Sequence, residues 1–273
     1  MEEIRDLFGL FLFECKIKLA RAMEFRLDFI SSFFTTFFLS FLGPLFQFLI
    51  YSKTNGYPGW TFDQIMLFQA IMLIYSGITE TLLGNVRYFM ETLVQYGLLD
   101  RYLLLPYSSI GFILTKGFNY KTFGTILAGL ASLVFTIIHM GLVLHWIQIV
   151  LFVMFIILGV ILMMAFNIFY CTIALRIVFV VRLKEILDRI CFFAGFPAEI
   201  YSGLIRFLYL TILPLGIWIY YPAQALLGRL SLLSISAIAS TIILFFVSLT
   251  IWNIQIKKYT SSGGWKNGKH HKR

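Results

Sequence analysis

The sequence predicts an all-α polytopic membrane protein, and three observations carry that prediction. From Thr122 to Leu175 no Asp, Glu, Lys or Arg occurs, a run too long for one crossing of about 20 residues. Hydrophobic residues make up 60% of the 273, charged residues 13%, and the mean hydropathy is +0.87; a water-soluble domain carries about 25% charge. The apolar runs are long and unbroken rather than alternating. In lipid the backbone must bond to itself, so such runs fold as helices and not as a barrel.

Six crossings follow in order. Phe29 to Ile50 is the first apolar run. Phe62 to Leu83 is the second, with Asp63 and Glu80 near its ends. The charge-free stretch supplies the third, about Gly111 to Ile138, and the fourth, about Ile147 to Val178. They turn back near His139–Trp146, where His139 and His145 are expected to face water. Phe207 to Gly228 holds a fifth and Leu230 to Ile256 the sixth. The stretch from Ile190 to Gly228 exceeds one helix and is cut by Pro197, Pro214 and Pro222, each of which removes a backbone donor. Two readings fit it: an interfacial helix before Pro197 followed by one kinked span, or a span starting near Ile186 followed by re-entrant segments that return to the outer face.

Charge sets the orientation. Of the 22 Lys and Arg, 19 fall in residues 1–26, the second-to-third connection, the fourth-to-fifth region and the segment after Ile256. By the positive-inside rule both termini are cytoplasmic, as an even number of crossings requires. The +9 charge therefore reflects topology and anionic lipid rather than nucleic acid. The acidic start is not expected to act as a cleavable signal peptide.

Three parts result: an amphipathic interface helix over 1–26, a transmembrane domain over 27–256 with a cytoplasmic region at 86–110, and a disordered basic tail over 257–273. In residues 1–26, apolar and charged positions interleave at helical spacing. The tail's His270–His271 pair is a weak metal signal, best read as solvated. Cys15, Cys171 and Cys191 are scattered, form no CxxC, and read as small apolar filler.

The second-to-third connection carries Leu98, Leu99, Leu103, Leu104 and Leu105 among charges. A plain solvated loop needs no such residues; a segment that docks on a cytoplasmic partner does. Gly97 and Pro106 would each end a short helix there.

The string ETLVQYGLLDRYLLLPYS, followed far downstream by FPAEIYSGLIRFLYLTILPLGIWIYYPAQALLG, resembles the type-2 ABC exporter permeases (ABC-2 transporter permeases), most of all their six-helix branch. The resemblance spans about residues 1–256. It implies a permease subunit that pairs with a second permease chain, identical or related, and is driven by a cytoplasmic ABC ATPase dimer. It marks Glu91 to Leu105 as the region that receives motion from the ATPase, with Glu91, Tyr96, Gly97, Leu98, Asp100, Arg101 and Leu104 as its coupling residues. It favours the re-entrant reading of Pro197 to Gly228 and puts that segment near the outer mouth. Pathway candidates are Asn167, Pro197, Glu199, Tyr201, Arg206, Pro214 and Pro222. Leu105-Pro106 stands where an Arg-Pro is common, so no basic contact carries over to position 105.

No GxxxxGK[ST] phosphate loop, HExxH or GxSxG occurs. The chain is thus expected to hold no cofactor, metal or catalytic residue; ATP and Mg belong to the partner ATPase. Charges at membrane depth are functional suspects by default. Glu80 reads as snorkelling or pairing locally with Arg87, Asn167 as an interhelical hydrogen-bonding group, and Glu199 with Arg206 as one helix face that orders the proline-rich region. The expected product is a cell-membrane (inner or plasma membrane) exporter subunit. The rivals are a secondary transporter, which would show inverted repeats, and an integral-membrane lipid-modifying enzyme, which needs acids, bases or a metal converging at one depth.

Overall fold

A computed structural model describes residues 2–176 and 180–259; the basic tail from Thr260, with His270 and His271, lies outside the described residues. Those residues are helical, with no strand among them. In chain order the helices are α1 (Glu2–Glu24), α2 (Arg26–Ser40), α3 (Leu42–Lys53), α4 (Phe62–Leu83), α5 (Val86–Gln95), α6 (Leu99–Leu103) and α7 (Ser109–Thr115). Then come α8 (Phe123–Met140), α9 (Trp146–Ala174), α10 (Val180–Phe193), α11 (Gly203–Phe207), α12 (Tyr220–Leu226) and α13 (Leu233–Ile256).

Among the described residues five helices are long and apolar enough to cross a membrane: Arg26–Lys53, Phe62–Gln95, Tyr120–Met140, Trp146–Ala174 and Leu233–Ile256. The third begins later than the expected Gly111. Lys116 to Asn119 leave the helix and dock on α4: Asn119 N–H donates to Thr81 O and Asn85 N–H to Gly117 O. Added atoms at Gly117 would fall 2.4 Å from Leu82 O, so only glycine permits this docking. The apolar run Phe207–Gly228 forms no long helix. It is divided into the end of α11, a π-turn at Leu208–Ile212, a 3₁₀ turn at Leu215–Ile217, and α12. Pro214 precedes the 3₁₀ turn and Pro222 sits in the first turn of α12, the one place in a helix where its missing N–H costs little.

α4 is the centre of the bundle. A reciprocal pair starts it: Gln64 N–H donates to Thr61 Oγ1 while Thr61 N–H donates to Gln64 Oε1, so two orphan donors are met at once. α4 packs on α8, where Gly77 and Gly129 bring the backbones together; a Cβ on Gly129 would lie 2.7 Å from Ile74 N. Small residues at such crossings let helices pack in lipid, where no hydrophobic effect draws them together. α9 lies beside α4 and in turn packs on α12 and α13, while α2 leans mainly on α8 and touches α1 and α3 less. Burial follows this order: 61% of the most apolar stretch of α4–α5 is buried, against 6% for α2–α3. One whole face of α2–α3 is left for lipid or another chain.

The contacts give the bundle two distinct ends. Thr61 and Trp60 mark one; Lys116 marks the other. Both ends of the described chain lie at the Lys116 end, because Lys18 of α1 bonds to Lys116 O and Trp252 of α13 donates to Ser109 Oγ at 3.3 Å.

Candidate functional site

Two regions and the space between them concentrate the polar chemistry. At the Lys116 end α5 continues the axis of α4 and buries Val86, Met90 and Leu93. Gly97, at φ 63°, then turns the chain. Leu98 N–H bonds to Leu93 O at 2.9 Å and Gly97 N–H to Val94 O at 3.4 Å, a left-handed cap that a Cβ would strain. α6 follows with Leu99 fully buried. The residues around that anchor point away from the core: Tyr96, Leu98, Leu103 and Leu105 are exposed, and Leu104 is 87% exposed. Asp100 and Arg101 are exposed beside them. Glu91 differs. It turns inward and accepts a hydrogen bond from Tyr170 of α9 at 3.2 Å, so it ties α5 to the bundle.

α1 braces this platform. Lys18 Nζ donates to Lys116 O and Phe118 O, both at 2.9 Å. Burial holds the Lys18 ammonium below its usual pKa; Glu14 opposes that shift and Lys116 adds to it. Glu14 pairs with Lys116, Ser108 N–H donates to Glu3 at 2.8 Å, and Leu7 packs against Gly111. Lys18 thus caps the carbonyls that α7 leaves open, a role normally filled by basic groups at helix C-termini.

At the Trp60 end Glu199 is a hub. Its two oxygens accept from Trp60 Nε1 at 2.7 Å and Tyr220 OH at 2.8 Å, and Arg206 lies 3.7 Å away. Glu199 and Arg206 do not share a helix as the spacing suggested: Glu199 lies in a 3₁₀ turn and Arg206 in α11. The fold brings them together across the Ser202–Gly203 turn. Around them Tyr201 OH donates to Phe193 O at 2.7 Å, Tyr209 OH to Phe196 O at 3.3 Å and Tyr221 OH to Leu210 O at 3.0 Å. Each hydroxyl satisfies a carbonyl that a broken helix leaves open. Pro197 caps the turn that carries Glu199. Trp60, Tyr209 and Tyr220 were missed as site residues; only the quoted Tyr-Tyr-Pro string hinted at the last.

The Pro197–Gly228 segment begins and ends at the Trp60 end, since Arg206 meets Glu199 and Leu226 O accepts from Gln148 at 3.3 Å. Between these points it dips to Trp218, which stacks on Tyr75, near the middle of α4, at 5.8 Å. Trp218 is 1% exposed, yet its Nε1 has no partner among the described residues; an unmet buried donor costs about 1–3 kcal/mol.

A cavity of about 260 Å³ opens beside it, between α4, α9 and α10. Arg87 closes one side by pairing with Asp188 of α10 at 2.6 Å. The expected local pair of Arg87 with Glu80 is therefore not formed. Asn167 is buried in α9, and its amide donates to Met163 O one turn back, at 2.9 Å. It makes no bond to another helix among the described residues, and it lies apart from both the hub and the cavity wall. His139 approaches Asp63 at 3.8 Å on the exposed surface of the Trp60 end. Among the described residues no three His, Cys, Asp or Glu gather as a metal site, and the three cysteines are free.

Residues 35–263 match a family model described as ABC-2 family transporter protein. The match takes in the α5–α6 platform, the cavity and the Glu199 hub. Searches of curated proteins and of solved structures return no significant match.

Proposed function

The chain belongs to the ABC-2 family of transporter proteins, and from that premise we propose that it is the permease subunit of an ATP-driven exporter, working as a pair of permease chains on a cytoplasmic ABC ATPase dimer. The observation that carries the ATPase contact is the α5–α6 platform. Leu99 anchors it to the core while Tyr96, Leu98 and Leu104 stand exposed, as an apolar docking surface at the end of a rigid helix must. In this reading the Lys116 end is cytoplasmic, as the basic residues of α1 and the α5–α7 region favour. The stretch from α10 to Pro197 then returns the chain from the Lys116 end to the Trp60 end, a sixth passage too short and too charged for an ordinary apolar span, and Pro197–Gly228 re-enters from outside. Broken backbone survives at that depth because tyrosine hydroxyls and neighbouring helices cover it. ATP and Mg bind the ATPase, and the membrane is the inner or plasma membrane of the cell.

Motion of the ATPase against α6 would travel along α5, whose Arg87 and Glu91 grip α10 and α9. The test is co-isolation. The full chain, extracted gently from its own membrane, should bring an ATPase with it. Tyr96→Asp with Leu104→Asp should release that ATPase at unchanged insertion, because both side chains are exposed. An ATPase retained in full by the double variant would refute the docking role.

A further inference from the structure

The two ends of the cavity differ in chemistry. Ser76, Thr79, Glu80, Arg87 and Asp188 line one end; Met72, Tyr75, Met163 and Trp218 line the other. Arg87 is already neutralised by Asp188. Glu80 is half-buried, and among the described residues no cation lies within 4 Å of its carboxylate. Two carboxylates against one guanidinium leave the wall with one net negative charge. Opposite it stand the face of Tyr75, stacked with Trp218, and two thioethers that adapt to irregular shapes. Trp218 adds a buried N–H with no partner among the described residues.

We propose that this cavity is the recognition site for an amphipathic organic cation, with its charged head at Glu80 and its apolar body against Tyr75, Met163 and Trp218. That the bound cation is the transported substrate rests on the permease reading; that it binds does not. An anion would find its only guanidinium occupied. A neutral ligand would leave Glu80 without a partner, whereas a cation gains both the carboxylate and the aromatic faces. The volume, about 260 Å³, lies just under the 300–1,000 Å³ of common ligand pockets, so a single ring with a compact head fits better than a large polycyclic body.

Benzyltrimethylammonium, its neutral carbon isostere neopentylbenzene and the anion benzenesulfonate are the probes, measured by calorimetry on the full chain in lipid nanodiscs. The cation, which has no N–H to donate, should bind roughly tenfold tighter than the isostere through its charge at Glu80 and against the aromatic faces. Glu80→Gln should bring the cation down to the isostere's affinity and leave the isostere unchanged. Equal binding of cation and isostere to the native chain, or preference for the sulfonate, overturns the proposal. A second readout needs no change at Glu80. Cys191 lines the same cavity, and with Cys15→Ala and Cys171→Ala its alkylation by N-ethylmaleimide should slow several-fold under saturating cation. An unchanged alkylation rate also overturns it. A chain that binds the cation but co-isolates with no ATPase would sink the exporter reading alone.

Discussion

The two ends of this bundle are held together in opposite ways. At the Lys116 end α1, α5, α7 and α10 are joined by charged groups on backbone carbonyls and carboxylates: Lys18 on Lys116 O, Glu14 with Lys116, Arg87 with Asp188. Around the buried Leu99, Tyr96, Leu98 and Leu104 point outward. At the Trp60 end α11 stays exposed, but Pro214–Leu226 is buried throughout, including every residue of α12. Tyrosines and one carboxylate, Glu199, hold that segment. The contrast teaches a division of labour. On the proposed reading, the surface that exposes leucines over a buried anchor is the one another chain covers. Pro214–Leu226, buried throughout and held by tyrosine hydroxyls, is built to stay in place.

Four substitutions probe that contrast, from the largest expected effect to the smallest. Tyr221→Ala removes a fully buried ring stacked on Phe155 at 5.7 Å and should cost about 3–5 kcal/mol, seen as a fall of the unfolding midpoint in detergent by roughly 10 °C. Glu199→Leu leaves Trp60 Nε1 and Tyr220 OH without their acceptor and should cost about 2–4 kcal/mol; loss of the Trp60 fluorescence environment should accompany it. Lys18→Met frees two carbonyls at the end of α7 and should cost about 1–2 kcal/mol, with faster proteolysis between Lys116 and Lys121. Leu104→Ala should change stability by less than about 0.5 kcal/mol yet weaken ATPase retention. If Leu104→Ala destabilised the chain as much as Tyr221→Ala, the contrast between a self-satisfied end and an open one would fail.

Much of this was legible in the sequence, for identifiable reasons. Charge-free stretches revealed the long helices because lipid tolerates little else. Gly97 revealed the turn because only glycine sits easily at positive φ. Pro197, Pro214 and Pro222 marked the broken region. The path of Phe207–Gly228 was not legible, because an apolar run states that it avoids water but not whether it crosses. That is decided by Tyr209 and Tyr221 bonding to distant carbonyls and by Trp218 settling on Tyr75. Glu199 was singled out, but Trp60, its partner, lies 139 positions away, and no local pattern links them. Arg87 choosing Asp188 over Glu80 is likewise a matter of how α10 packs, and it leaves Glu80 free to face the cavity.

The central claim, that energy arrives from a separate ATPase at the α5–α6 platform, is tested most directly by photocrosslinking from two equally exposed leucines. A benzophenone amino acid replaces Leu104 at the Lys116 end or Leu232 at the Trp60 end, which are 87% and 85% exposed. The account predicts a crosslink from position 104 to a nucleotide-binding chain, and none to that chain from position 232. A crosslink to it from position 232, or none from position 104, would contradict the account.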